Sequence, residues 1–221
     1  MYQPRHFQHN DTAALHALMQ AQPLATLVTL TEGGALEANH IPLHLSADEG
    51  ELGVLRGHIA KANPLWREHP EGAQALVIFQ GPQAYVSPAW YATKAETGKV
   101  VPTWNYLAVH AWGALRVVRD AHWLMQQVQA LTQQQEAALA QPWQVGDAPA
   151  DYIDAMLRAV VGIELVITRL QGKCKASQNQ PEANRQGVIA GLRASGAATD
   201  QAMAHEMAQL MERERSAPHA T

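Results

Sequence analysis

Residues 24–45 read LATLVTL-TEGG-ALEANHIPLHL. The first seven are apolar and rich in β-branched side chains. The next four carry two glycines and mark a tight turn. The last eleven alternate well enough for a second strand. Strand, turn, strand is the sequence signature of a hairpin. On both sides the pattern continues. Upstream, Asn10 or Asp11 can cap a helix over 10–21, with Leu15, Leu18 and Met19 at helical spacing. Downstream, GELGVLRG (50–57) predicts a third strand, and HIAKANPLWREHP a short helix that changes course at Asn63-Pro64. Strands are predicted again at 74–81 and 83–88, then an exposed excursion at 89–101. VPTWNYLAVHAWGALRVV (101–118) predicts a long strand bent near Gly113. Asp120 caps a helix of about twenty residues with Leu124, Val128, Leu131 and Leu139 on its buried face. A short helix near 150–158, a strong strand at 160–172 and a helical tail broken at SGAATD complete the chain. Six or seven mostly antiparallel strands interrupted by helices predict an α+β protein built on a barrel. The expected division is a barrel domain with inserted helices over 1–180 and a helical tail over 181–221.

Composition bounds the function. The 221 residues are 47% hydrophobic and 16% charged, which excludes whole-chain disorder. The single cysteine, Cys174, excludes a disulfide framework and a CxxC metal site and fits a reducing compartment. No apolar run approaches a membrane span, and the N-terminus lacks the pattern of a secretory signal, so a cytoplasmic location is expected. Sixteen Lys and Arg against twenty Asp and Glu leave a formal charge of −4. That balance argues against direct binding to nucleic acid. The second tail helix could pose as a DNA reader, but Asp200, Glu206, Glu212 and Glu214 outnumber Arg213 and Arg215 on it. Its Met203, Met207, Leu210 and Met211 stripe suits packing instead.

Several segments can carry chemistry. LRGHIAKANP places Arg56, Gly57, His58 and Lys61 at an expected passage from strand to helix. Free N–H groups at the helix start plus two cations would make a phosphate seat, and a solvated turn is an equal alternative. His40 and His44 share a strand face, but Pro42 lies between them and no third ligand is evident, which is thin for a metal. In VPTWNYLAVH, Trp104, Tyr106, Ala108 and His110 share one face, fit for a flat heteroaromatic ligand or for an aromatic core ladder. Ser87 and His110 lack the GxSxG context of a hydrolase. Lys173, Lys175, Ser177, Gln178 and Asn179 crowd GKCKASQNQ (172–180) with donors. They could meet a phosphate, a partner chain or solvent. Cys174 has no adjacent base and is not nominated as a nucleophile.

Taken in order, MYQPRHF, HIPLHL, GHIAKANPLW, FQGPQAYVSPAWY, VPTWNYLAVHAWG, GIELVITRLQGKCKASQN and GVIAGL resemble the PaiB-type proteins, FMN-binding negative transcriptional regulators. The likeness runs from residue 1 to about 193. It implies the FMN-binding split β-barrel fold shared with pyridoxamine phosphate oxidases and flavin reductases, FMN as cofactor, and a homodimer with the flavin at the subunit interface. It implies that Arg56, Gly57, His58 and Lys61 lie at the FMN phosphate and that Asn39, His40 and Ile41 run along the flavin ring. It makes Trp104, Asn105 and Tyr106 pocket or interface residues, with Lys173, Lys175 and Gln178 as further cofactor contacts. It leaves three functions open: a regulator acting through partners, a flavin-dependent oxidoreductase, or a haem-binding barrel. The basic strand that grips phosphate in the oxidases is replaced here by NHIPLH.

Overall fold

The computed structural model describes residues 1–70 and 72–216. The chain divides into two compact units. One holds 11–79 and 109–171, the other 1–10, 80–108 and 172 onward.

The larger unit is the barrel. Helix α1 (Thr12–Ala21) starts at Asp11, whose carboxylate accepts from the N–H groups of Ala13 and Ala14. Strand β2 (Leu24–Leu30) forms the predicted hairpin with β3 (Leu36–Pro42), in register from Leu24↔Pro42 to Leu30↔Leu36. β4 (His44–Ser46) then pairs with β5 (Val54–Ala60). The run 36–46 thus leaves one neighbour and joins another. The ladder is β3-β2-β6-β7-β8-β5-β4, where β6 is Gln74–Val86, β7 Thr103–Val118 and β8 Val160–Val166. It is antiparallel at β2–β3, β2–β6, β4–β5, β5–β8 and β7–β8. The sheet curls without closing, and its two edge strands are β3 and β4. Gly57 of β5 lies against the chain at 41–43 that passes from one to the other. A Cβ on it would lie 2.7 Å from Leu43 Cδ2 and 2.9 Å from the Pro42 carbonyl, so only glycine lets the strands approach so closely.

Alternation along β5 and β8 sends Leu55, Ile59, Val161, Ile163 and Leu165 into the core with Leu27, Val77, Phe79 and Val109. The other face of β4, β5 and β8 is covered by α4 (Ala121–Glu136), capped by Asp120 at the Trp123 N–H. Of its expected apolar face Leu124 is buried, while Leu139 lies past the helix end and is exposed. Helix α5 (Ala150–Arg158) leads into β8.

The smaller unit contains β1 (Gln8–His9), paired with the second half of β9 (Arg169–Lys175). It also holds α3 (Lys94–Thr97), α6 (Glu182–Ala194) and α7 (Ala198–Ser216). Gly187 and Gly191 of α6 seat the helix directly on the turn at Trp90.

Three expectations are corrected. The strands expected at 74–81 and 83–88 are one, β6, which runs through Pro82. The strand expected at 160–172 is two, β8 and β9, separated at Ile167 and Thr168. Arg56, Gly57 and His58 do not lead into a helix. They lie inside β5, and α2 (Leu65–Glu68) begins only after Pro64. The ladder to β8 outcompetes the helix because every residue from Val54 to Ala60 finds a partner there.

Candidate functional site

Register builds a row of charges across the barrel's α4-covered face. His44 lies opposite Arg56, Arg56 opposite Glu164, and Glu164 opposite Arg116. Glu164, only 8% exposed, accepts from Arg56 Nε at 2.8 Å and from Arg116 Nη2 at 2.6 Å. Arg56 also donates to both oxygens of Glu49 at 2.5 Å and to Ser46 Oγ at 2.9 Å. All three of its guanidinium nitrogens are engaged, and the bonds to Glu49 and Glu164 raise its pKa further. Burial pushes the Glu164 carboxyl up, but the hydrogen bonds from Arg56 and Arg116 outweigh it and hold it below the usual range. Burial, then the Arg56 charge, lowers His44. His58 Nδ1 bonds Gln127 Oε1 at 2.7 Å. Of the four residues expected at a phosphate, Arg56 is therefore committed to carboxylates, Gly57 to close packing and His58 to α4.

Lys61 has a different setting. It lines a cavity of about 360 Å³ with Trp66, Arg119, Leu124, Asp154 and Arg158, among others. The Lys61 carbonyl accepts from the Trp66 indole at 3.0 Å, and Arg67 and Arg119 each stack over that indole at 4.8 Å. None of Lys61, Arg119 and Arg158 forms an ion pair with a carboxylate among the described residues. Three cations against one carboxylate give the cavity a net positive lining. Nearby, the Asn63 amide donates to Asn39 Oδ1 at 2.7 Å and its own oxygen caps Leu65 N at 2.9 Å. Asn39 Nδ2 is buried with no partner among the described residues. It is a donor with an unmet demand. His40 bonds Thr26 Oγ1 at 3.1 Å, and Ile41 belongs to the core.

In the smaller unit, Trp104 is 53% exposed and meets Tyr85 edge-on at 6.1 Å. Asn105 points the other way and is fully buried, its amide donating to Ser177 Oγ at 2.9 Å. Lys173 sits over Tyr2 and Tyr106, and Lys175 donates to Thr103 Oγ1 at 2.5 Å. The Gln178 amide is spent locally, accepting from Ala176 N at 2.7 Å and donating to the Cys174 carbonyl at 2.6 Å. Cys174 is pushed up to about 11 by burial and by Glu206, consistent with an inert thiol. In the tail, Arg185 pairs with Glu214 at 2.6 Å and Arg215 with Glu182, while Arg213 bonds Gln209.

Residues 1–169 match the family model described as "Putative FMN-binding domain". The chain is 30% identical to the "Protease synthase and sporulation protein PAI 2" of Bacillus subtilis, over 96% of this chain and 97% of that one. The chain belongs to this PaiB-type FMN-binding family. An uncharacterized protein of Emericella nidulans is 39% identical over 80% of this chain and 84% of its own. Among solved structures, the FAD and heme binding protein of Mycobacterium smegmatis matches with a TM-score of 0.54 at 18% identity, covering 86% of this chain and 80% of that one. The flavocytochrome Anf3 of Azotobacter vinelandii matches with a TM-score of 0.52 at 14% identity, covering 81% and 75%. These likenesses identify the fold as the split β-barrel of that group.

The pattern of the sequence could point to Lys61. It could not point to Arg119 or Arg158, which lie on separate elements far along the chain. Arg119 sits at the end of a strand and Arg158 at the end of α5, where either would pass for a solvated charge.

Proposed function

We propose that this chain binds FMN and seats the flavin phosphate against Lys61, Arg119 and Arg158, with Asn39 and Asn63 beside it. Any effect on transcription then passes through a partner and not through base contacts of its own. The supporting observation is the trio of cations without carboxylate partners around a 360 Å³ cavity, within the segment that matches the FMN-binding family. A phosphate of nearly two negative charges satisfies those cations, and each charge-assisted contact is worth roughly 1.5–3 kcal/mol before screening by solvent. The unpartnered Asn39 amide, bonded through its oxygen to Asn63 two residues beyond Lys61, supplies a further hydrogen-bond donor. Bound FMN supplies one- and two-electron redox chemistry. The chain's own residues hold the phosphate, and the Trp66 indole keeps Arg119 in place. The indirect route to transcription is favoured by the net charge of −4 and by the ion-paired arginines of α6 and α7. The exposed Tyr85–Trp104 pair fits a homodimer contact, and light scattering giving a dimer mass is the expected outcome.

Flavin fluorescence titrations test the seat. Wild type should bind FMN at least about tenfold tighter than riboflavin. Lys61→Ala and Arg119→Ala should each weaken FMN about tenfold and leave riboflavin unchanged. Arg56→Ala should leave the FMN-to-riboflavin ratio intact. Equal FMN affinity in all variants would move the phosphate elsewhere, and absence of flavin binding by wild type would remove the cofactor. Anisotropy with the gene's own upstream DNA against scrambled DNA, at ~150 mM salt, should show no preference.

A further inference from the structure

Strand β9 carries Lys173 and Lys175 two residues apart, so both leave the same face. Lys173 is only 9% exposed. Its ammonium has one hydrogen-bond acceptor, the Tyr2 carbonyl at 3.0 Å, and lies 5.7 Å from the Tyr2 ring and 5.2 Å from the Tyr106 ring. Lys175 has the Thr103 hydroxyl and nothing anionic. Neither is paired with a carboxylate among the described residues. The two cations also feel one another, and burial together with Lys173 lowers the Lys175 pKa. Burying the Lys173 ammonium close to the half-buried cation of Lys175 without a counter-charge is costly, and folded proteins pair such charges.

The backbone beyond them is committed to this arrangement. Ser177 is the only non-glycine described residue with a left-handed φ, at 61°. It is held by its bond to Asn105. The reversal it makes lets Gln178 fold back and staple the strand at Ala176 N and the Cys174 carbonyl. A strained residue persists only where its surroundings over-determine it. Here it fixes the end of the strand that presents both lysines. The match to the FMN-binding domain model ends at residue 169, before either lysine, whereas the likeness to PAI 2 covers 96% of the chain and includes both.

We infer that Lys173 and Lys175, walled by Tyr2, Tyr106 and the Thr103 hydroxyl, form a second anion site that takes the carboxylate or phosphate group of a small organic molecule. The oxyanion bridges the two ammonium groups, and the tyrosine rings lie against the body of the ligand. This site is separate from the phosphate seat proposed at Lys61, Arg119 and Arg158.

Thermal unfolding of the flavin-free full chain tests it, with inorganic phosphate and benzoate as probes and sodium chloride at matched ionic strength as control. Wild type should rise by about 3 °C or more with at least one probe over chloride. A benzoate-only or phosphate-only response names the ligand class. The variant Lys173→Met/Lys175→Met should lose the benzoate rise and show a smaller phosphate rise than wild type, the remainder belonging to the seat at Lys61. A second measurement needs no variant: reductive methylation mapped by mass spectrometry should slow at Lys175 when the probe is present. The rise should persist when FMN is saturating. No anion-specific rise in wild type, or an equal rise in the double variant, overturns the site. Loss of the rise on FMN saturation, together with loss of FMN binding in the double variant, would assign these lysines to the flavin phosphate and equally overturn a separate site. A chain that binds no flavin leaves the thermal test readable, so the two proposals fail independently.

Discussion

Glu164→Gln removes the charge that holds two strands' arginines together. In the wild type, Glu164 accepts from Arg56 Nε and from Arg116 Nε and Nη2. Three charge-assisted bonds amount to roughly 1.5–3 kcal/mol each on gross accounting. Two facts reduce the sum. Arg56 keeps Glu49 and Ser46, and the Arg116 side chain is 61% exposed and can rehydrate. The glutamine oxygen can still accept one bond, while its NH2 faces the guanidinium groups. The expected net loss at pH 7 is about 2 kcal/mol, below the full cost of orphaning a buried partner. With a urea slope of roughly 2 kcal/mol per M, the midpoint should fall by about 1 M. pH adds a sharper check. The folded carboxyl lies below its unfolded value of about 4.3. Its contribution is therefore complete above that value and is lost as pH falls through the lower, folded one. The gap between wild type and variant should be constant from pH 7 to about 5.5 and narrow below about 4.3. An unchanged midpoint at pH 7, or a gap that does not close on acidification, would refute the charge row as a source of stability.

Gly191→Ala places a Cβ 2.3 Å from Trp90 Cδ2, so α6 must shift from its turn. A loss of about 1–3 kcal/mol and faster amide exchange across 182–194 are expected. Asp120→Ala removes the acceptor for Trp123 N at 2.7 Å and should cost about 1 kcal/mol in urea unfolding. Cys174, pushed up to about 11, should react with a disulfide reagent at pH 8 at least about tenfold more slowly in the folded chain than in urea; equal rates would show the thiol is not shielded.

Local chemistry made much of the fold legible from the chain. The hairpin at 24–42, the Asp11 and Asp120 caps, and the helix at 150–158 are each set by periodicity and turn residues within a dozen positions. The same evidence misled where competition was non-local. The strand read as ending at Gly57, with a helix from His58, until β8 supplied a ladder that runs to Ala60 from more than a hundred residues away. Pro82 suggested a break, yet β6 carries it.

For the functional residues, the divide is sharper. The family blocks single out Lys61, Lys173 and Lys175 by residue type and order. Which cations stay free is a question of register. Arg56 is neutralised because strand pairing sets Glu164 opposite it and brings Glu49 within reach, whereas Lys61 turns off the end of β5 toward Trp66, Arg119 and Arg158. Sequence by itself determined which residues are cations and which segments are strands, because those follow from the side chains and their immediate neighbours. Only the tertiary structure decided which cations have counter-charges, because a carboxylate cancels a guanidinium by distance in space and not by distance along the chain.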